Sequence, residues 1–297
     1  MKRLIVIAGP TASGKTALSI ALAKTLNAVV ISADSRQFYK ELSIGTAKPS
    51  IEEMDGIKHY LVDSHPITDE INSARFAELA LKIIETEFKV RETIILVGGS
   101  GMFIDALCYG LDDLPHDKAV QNQLNGAFNT NGLEPLLAEL EAKDPEFYQQ
   151  IDKSNPVRII RALEVIRITN EKFSSLRKGE KRTHAFAINY FVVNPPRELL
   201  YERINLRVDK MIATGLEEEA RSVLPYRHLK SLATVGYREF FDYFDGKIDY
   251  QTAVELVKQN SRRYAKRQIT WFKRNPDAIW IPFGTTEEMK EFVVGRC

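Results

Sequence analysis

Eight residues near the start of the 297-residue chain carry the strongest chemical signal: Gly9, Pro10, Thr11, Ala12, Ser13, Gly14, Lys15 and Thr16. They form the pattern G-x-x-x-x-G-K-T, after an apolar run from Leu4 to Ala8 and before helical apolar spacing at Leu18, Leu22 and Leu26. A glycine loop between strand and helix turns its N–H groups inward around phosphate oxygens, and the helix N-terminus adds partial positive charge. Lys15 supplies a full charge, and the Thr16 hydroxyl is placed to hold Mg²⁺. Pattern and context agree on a diphosphate without specifying ATP.

A second cluster follows a second apolar run, Ala28 to Ser32. Asp34, Ser35, Arg36 and Gln37 then sit at a strand's carboxyl end, where ligands bind in open α/β sheets. Asp34 can act there as a general base or a magnesium ligand, and Arg36 and Gln37 can read phosphate or a base edge. A turn aspartate with Ser35 as a helix cap is an equal reading of the same residues. Gly98 to Gly101 repeats the strand–glycine–helix pattern after Thr93 to Val97. The Ser100 hydroxyl can donate to a leaving oxygen, although a tight turn for strand–helix packing is the simpler reading.

These clusters need a scaffold of alternating strands and helices. His59 to Val62 reads as a weaker strand, Ser73 to Phe88 as an amphipathic helix and Ala185 to Val193 as a later strand. The fold class is therefore α/β, a parallel sheet of P-loop NTPase type. From Leu111 to Arg182 the pattern is helical without a convincing strand, so we expect a core of residues 1–110 and 183–297 interrupted by a helical insertion at 111–182. Asn155-Pro156 starts a helix that runs to about Thr169, with Asn as N-cap and Pro in the first turn. Lys178 to Arg182 reads as a solvated basic linker, helices follow Pro195-Pro196, and Ala278 to Pro282 reads as a last strand.

Composition narrows the classes. Hydrophobic residues make up 44% and charged residues 27%, the balance of a globular protein with a real core. The net charge of +1 announces no nucleic acid, so a basic site must come from clustering. Such a cluster exists: between Lys258 and Arg274 lie seven basic residues and no acidic one, with Tyr264, Trp271 and Phe272 interleaved. Arg262 and Lys266 share one helical face and Arg263 and Arg267 another, an arrangement suited to a phosphate backbone. A solvated face with Tyr264 and Trp271 in the core is the plainer reading. Two cysteines, Cys108 and Cys297, give neither a disulfide framework nor metal spacing, which fits a cytoplasmic location. The apolar run after Met1-Lys2-Arg3 is too short for a signal peptide, and no stretch is long enough for a membrane span.

Read in order, these segments resemble the tRNA dimethylallyltransferases of bacterial type. The resemblance covers nearly the full chain: GPTASGKT at 9–16, SADSRQFY at 32–39, GTAKP at 45–49, HYLVD at 59–63, INSARF at 71–76, GGSGMF at 98–103, NPVRIIRALEV at 155–165, RVDKMIATGLEEE at 207–219, VGYREF at 235–240 and RRYAKRQITWFKR at 262–274. It implies that dimethylallyl diphosphate occupies the P-loop and that N6 of the adenosine 3′ of the anticodon attacks C1 of the allyl group. The substrates implied are tRNAs that read codons beginning with U. It implies Asp34 as general base, Ser100 at the bridging oxygen and Arg207 or Arg203 on the leaving pyrophosphate, with Arg207 preferred. It further implies Mg²⁺ on Thr16, and tRNA contacts from Asp34, Ser35, Arg36, Gln37, Arg158, Arg161, Arg238, Arg262, Arg263, Lys266 and Arg267. The insertion is implied to clasp the anticodon stem-loop; no zinc-finger extension of the kind seen in some eukaryotic members is present, so no zinc is expected, and nothing in the sequence demands a membrane or more than a monomer. Ser100 stands where many members have Thr and keeps the hydroxyl, while Phe38 and Phe103 replace aliphatic residues or Tyr and require packing adjustments. Three rival readings are a small-molecule or nucleotide kinase, a transferase that prenylates free adenine nucleotides, and a non-catalytic RNA-binding protein.

Overall fold

The structure is a computed structural model that describes residues 1–179 and 181–297. The chain divides into two compact units, Met1–Cys108 with Thr183–Cys297, and Tyr109–Arg182. The first unit begins β1 (Arg3–Ala8), α1 (Lys15–Leu26), β2 (Val29–Ser32), α2 (Ile51–Met54), β3 (His59–Tyr60), α3 (Ser73–Glu87), β4 (Thr93–Gly98) and α4 (Gly101–Cys108). The second supplies α5 (Lys118–Asn131), α6 (Glu134–Lys143), α7 (Pro145–Gln150), α8 (Pro156–Thr169) and α9 (Phe173–Leu176). The first unit resumes with β5 (Ala187–Val193), α10 (Arg197–Ala213), α11 (Leu216–Ser222), α12 (Tyr237–Phe244), α13 (Tyr250–Phe272), β6 (Ile279–Ile281) and α14 (Thr286–Val294).

The strands form one parallel sheet in the order β3-β2-β4-β1-β5-β6. β1 is central, and Leu4 to Ala8 are wholly buried, as expected for a strand covered on both faces. Leu18 and Leu22 of α1 and Met289 and Val293 of α14 join Ile5, Ile7, Val30, Ile95 and Phe191 in one core on one face of the sheet. Elsewhere Phe103 stacks on Phe76 at 5.0 Å and on Phe38 at 5.9 Å. The two phenylalanines unusual for the resemblance thus pack on each other, a pairing worth about 1 kcal/mol beyond area burial. α10 meets α13 through Leu200, Ile204 and Ala265. The chain passes from one side of β1 to the other between β4 and β5, so the P-loop lies at a topological switch point.

The expected strand at 59–62 is shorter than its pattern. Leu61 and Asp63 have φ of 60° and 48°, which takes the chain out of extended geometry after Tyr60.

The unit Tyr109–Arg182 has its own apolar core of Leu124, Leu136, Leu140, Phe147, Ile159 and Leu163. Asn155 caps α8 by accepting from Arg158 N. Two buried carboxylates organise the unit. Asp144 accepts from Phe147 N (3.0 Å), Ser174 N (2.7 Å) and Ser174 Oγ (2.8 Å), while Glu164 accepts from Asp117 N (3.0 Å) and Arg161 Nη1 (2.8 Å) and pairs with His116. Of the basic linker expected over 178–182, residue 180 lies outside the described residues. The described residues Lys178, Gly179, Lys181 and Arg182 are exposed, as expected of a solvated linker, while Arg182 N donates to Tyr109 O (2.7 Å) and Lys181 Nζ lies 5.0 Å from the Tyr109 ring.

Candidate active site

The P-loop conformation follows from its glycines. Gly14 has φ of +90° and caps α1, a geometry that a side chain would strain. A Cβ on Gly9 would lie 2.6 Å from Val193 O, so only glycine lets the loop pass β5. Lys15 Nζ folds back to donate to Pro10 O (3.0 Å), and the exposed Thr16 lines a cavity of about 540 Å³. Ser13 Oγ is buried without a hydrogen-bond partner among the described residues.

Two cations are half-buried at this loop. Burial lowers the Lys15 pKa to about 8, helped by repulsion from Arg207 and opposed by Asp34. The Arg207 guanidinium is also lowered by burial, against the pull of Asp34 and Glu53. Arg207 Nη1 donates to Thr11 Oγ1 (3.0 Å), and neither cation forms an ion pair among the described residues. Half-buried charges that no carboxylate contacts directly are costly, and an anionic ligand relieves that cost. The α1 N-terminus points the same way.

The ends of β2 and β4 adjoin this loop. Asp34 Oδ1 accepts from Arg36 N (2.9 Å) and closes a tight turn, with the carboxylate on the cavity wall. Ser100 Oγ accepts from Ser35 N (3.0 Å) and Ser100 N donates to Ala33 O (3.2 Å), stitching the two strand ends together. A Cβ on Gly98 would lie 2.2 Å from Ala33 O, so glycine permits the approach. The Ser100 hydroxyl therefore braces the Asp34 turn as an acceptor and also meets the hydroxyl of Tyr264, a residue of the cavity wall.

Both candidate arginines lie near the P-loop, and a Cβ on Gly14 would be 3.9 Å from Arg203 Nη1. Arg207 lines the cavity, whereas Arg203 stacks on Phe283 with its guanidinium carbon 5.2 Å from the ring centroid and lies outside the lining. Arg36 lines the cavity with Nε buried and unpartnered among the described residues, and its Nη2 reaches Lys230 O at 3.3 Å. Gln37 also lines it, but its amide is committed within the protein: Oε1 accepts from Ser32 Oγ (3.0 Å) and Nε2 donates to Thr46 O and Ala47 O (3.3 and 3.2 Å). These bonds tie Gln37 to the 45–49 segment, and reading a base edge would require an exchange of one of them.

Arg238 and Arg267 line the cavity and are exposed. Tyr264 does not enter the core as its spacing with Trp271 suggested; it lines the cavity at 36% exposure, under Arg267 at 5.8 Å. The protein around it, and then the Asp34 carboxylate, push its hydroxyl up to about 12. Arg262 donates to Asn205 Oδ1 (2.5 Å), Arg263 to Asn260 Oδ1 (3.2 Å), and Lys266 is exposed. Lys258 is neutralised by Asp209 at 2.7 Å, so part of the basic run is balanced from α10. In the helical unit, Arg158 is exposed, while Arg161 donates to Leu114 O, Pro115 O and Glu164.

Two important side chains escaped the sequence reading. Glu219 accepts from Ser43 N (2.9 Å), Ile44 N (2.8 Å), Gly45 N (2.8 Å) and Tyr237 Oη (2.6 Å), and so fixes a cavity wall from α11. Gln268 accepts from Thr11 N (3.0 Å) and donates to Gly99 O (2.9 Å).

Among the described residues no group of three or more His, Cys, Asp or Glu side chains can hold a metal ion, and no helix is long and apolar enough to cross a membrane. The donors on the cavity wall, the Thr16 hydroxyl and the Asp34 carboxylate, are hard oxygens of the kind Mg²⁺ takes alongside phosphate oxygens and water.

The chain is 45% identical over 296 residues to the tRNA dimethylallyltransferase of Cytophaga hutchinsonii, covering 99% of this chain and 97% of that one. The crystal structure of the tRNA isopentenylpyrophosphate transferase of Bacillus halodurans superposes with a TM-score of 0.72 at 36% identity, covering 100% and 97% of the two chains. A eukaryotic dimethylallyltransferase caught acting on tRNA superposes with a TM-score of 0.79 at 26% identity, covering 95% of this chain and 74% of that one. A protein-family model described as IPP transferase matches residues 37–275. That match, with the end-to-end similarity to the Cytophaga hutchinsonii protein, means that this chain belongs to the IPP transferase family.

Proposed function

We propose that the protein is a prenyltransferase that moves a dimethylallyl group from dimethylallyl diphosphate to N6 of the adenosine 3′ of the anticodon in tRNA. The observation that carries this reading is the pair of half-buried cations Lys15 and Arg207, neither of them ion-paired among the described residues, on the wall that also presents Asp34. The cations and the α1 N-terminus hold the diphosphate. The N6 lone pair forms a bond to C1 of the allyl group as the C1–O bond breaks, and pyrophosphate leaves with the electron pair. Asp34 takes the N6 proton, and Arg207 and Lys15 meet the charge that develops on the leaving group. Thr16 would hold Mg²⁺, which would supply charge neutralisation for the leaving group.

The target base must leave its stack to reach the cavity, at a cost of about a few kcal/mol. Arg36, Arg238 and Arg267 on the cavity wall can meet RNA phosphates, Arg263 and Lys266 extend the basic surface along α13, and the exposed Arg158 belongs to the unit that contacts the anticodon stem-loop. The enzyme works as a cytoplasmic monomer.

The test incubates the protein with Mg²⁺, labelled dimethylallyl diphosphate and an anticodon stem-loop carrying A-A-A after the anticodon. Label in the RNA is the expected result. An unlabelled RNA with ATP hydrolysed instead would overturn the reading in favour of a kinase.

A further inference from the structure

We propose that Gln268 is a positioning residue for the diphosphate site, acting through Thr11 on Arg207; the inference rests on the diphosphate reading above. Gln268 lies on α13 and is 6% exposed. Its Oε1 accepts from Thr11 N at 3.0 Å and its Nε2 donates to Gly99 O at 2.9 Å. Thr11 Oγ1 in turn accepts from Arg207 Nη1 at 3.0 Å. A continuous chain of hydrogen bonds therefore runs from the glycine cluster after β4, through α13 and the P-loop, to the half-buried guanidinium on α10.

In an anion cradle the loop N–H groups are left for the ligand. Here the Thr11 N–H is taken by a side-chain amide, so Thr11 serves the site through its hydroxyl, which anchors Arg207. Without Gln268 the first turn of the P-loop loses its tether, and the long Arg207 side chain loses a fixed acceptor. Glycine makes room for this tether, since a Cβ on Gly99 would lie 2.2 Å from Gln268 Nε2. Three residues along α13 the arrangement repeats. Trp271 Nε1 donates to Asp105 Oδ2 at 2.7 Å, and a Cβ on Gly101 would lie 2.1 Å from Trp271 Cδ1. Two notches made by glycines thus seat α13 and fix the rotamer of the amide between them. The site demands one acceptor and one donor on the same short side chain, which an amide has and an ionised carboxylate or a thioether lacks.

The experiment uses the full chain and Mg²⁺ with inorganic pyrophosphate as the probe. Calorimetric affinity is measured for wild type, Gln268→Met and Gln268→Glu across a pH series, with stem-loop affinity and melting temperature in parallel. Gln268→Met is expected to weaken pyrophosphate by about tenfold at every pH and to leave stem-loop affinity within about twofold. The carboxyl introduced by Gln268→Glu is buried against a carbonyl, which raises its pKa. Protonated, it accepts from Thr11 and donates to Gly99 as the amide does; ionised, it cannot donate. Its affinity relative to wild type should match at low pH and fall toward the Gln268→Met value as pH rises. Wild-type affinity in Gln268→Met, or a pH-independent ratio for Gln268→Glu, would overturn the proposal. Should Gln268→Met not fold, the pH profile of Gln268→Glu decides alone. A wild type that binds no pyrophosphate would overturn the diphosphate reading and this inference with it.

Discussion

Lys15 makes the ligand-free site unstable by design, and removing its charge should make the protein more stable while disabling it. The shift from 10.5 to about 8 means that the folded environment favours the neutral amine. That shift corresponds to about 3 kcal/mol at neutral pH. Lys15→Met removes this penalty and also removes the bond to Pro10 O, which offsets about 1 kcal/mol. The net expectation is a gain of about 2 kcal/mol, several degrees in melting temperature. Pyrophosphate affinity should fall by about tenfold or more, because a charge-assisted hydrogen bond to the ligand is removed. The pH dependence has a definite sign. The folded-state pKa lies below the unfolded one, so the penalty is full below about pH 8, declines as pH rises, and is gone above about 10.5. The stability gap between variant and wild type must therefore close across that window. Thermal unfolding at a series of pH values checks both parts. A variant no more stable than wild type at neutral pH, or a gap constant through the window, would mean that Lys15 carries no such penalty.

Three further outcomes are expected. Arg207→Ala should lower kcat/KM for the prenyl diphosphate by about 10²-fold or more, whereas Arg203→Ala, which removes a cation stacked on Phe283, should change it by only about a few-fold; steady-state kinetics of both variants separates them. Glu219→Ala strands the N–H groups of Ser43, Ile44 and Gly45 and should cost about 2–4 kcal/mol in urea unfolding, with a loss below about 1 kcal/mol counting against the brace. Neutralising Arg263 and Arg267 together should flatten the salt dependence of RNA binding by about one unit of slope for each phosphate that is no longer neutralised, while Lys258→Ala, already paired with Asp209, should leave the slope unchanged.

What the sequence made legible was local. The strand–loop–helix order around Gly9 to Thr16 and the apolar runs that became β1, β2 and β4 are patterns within a few residues of each other, and the parallel α/β sheet follows from them. What it hid was long-range. Gln268 meets Thr11 across 257 positions and Glu219 meets Gly45 across 174, and nothing in a glutamine or a glutamate announces such partners. The internal partners of Gln37 and Arg161, carbonyls at Thr46, Ala47, Leu114 and Pro115, are likewise invisible in residue type and spacing. Tyr264 shows a limit of periodicity. Spacing identifies a helical face, but whether that face meets a core or a cavity depends on what packs opposite. The two-residue β3 shows another, because the left-handed backbone at Leu61 and Asp63 leaves an apolar pattern intact while ending the strand.

The most direct test of the account is the single-turnover rate of prenyl transfer to an anticodon stem-loop by wild type and Asp34→Ala, with pyrophosphate and stem-loop affinities measured alongside. If Asp34 takes the proton of the attacking amine, the rate falls by about 10²- to 10⁴-fold with both affinities largely retained. A variant within a few-fold of the wild-type rate would contradict that assignment.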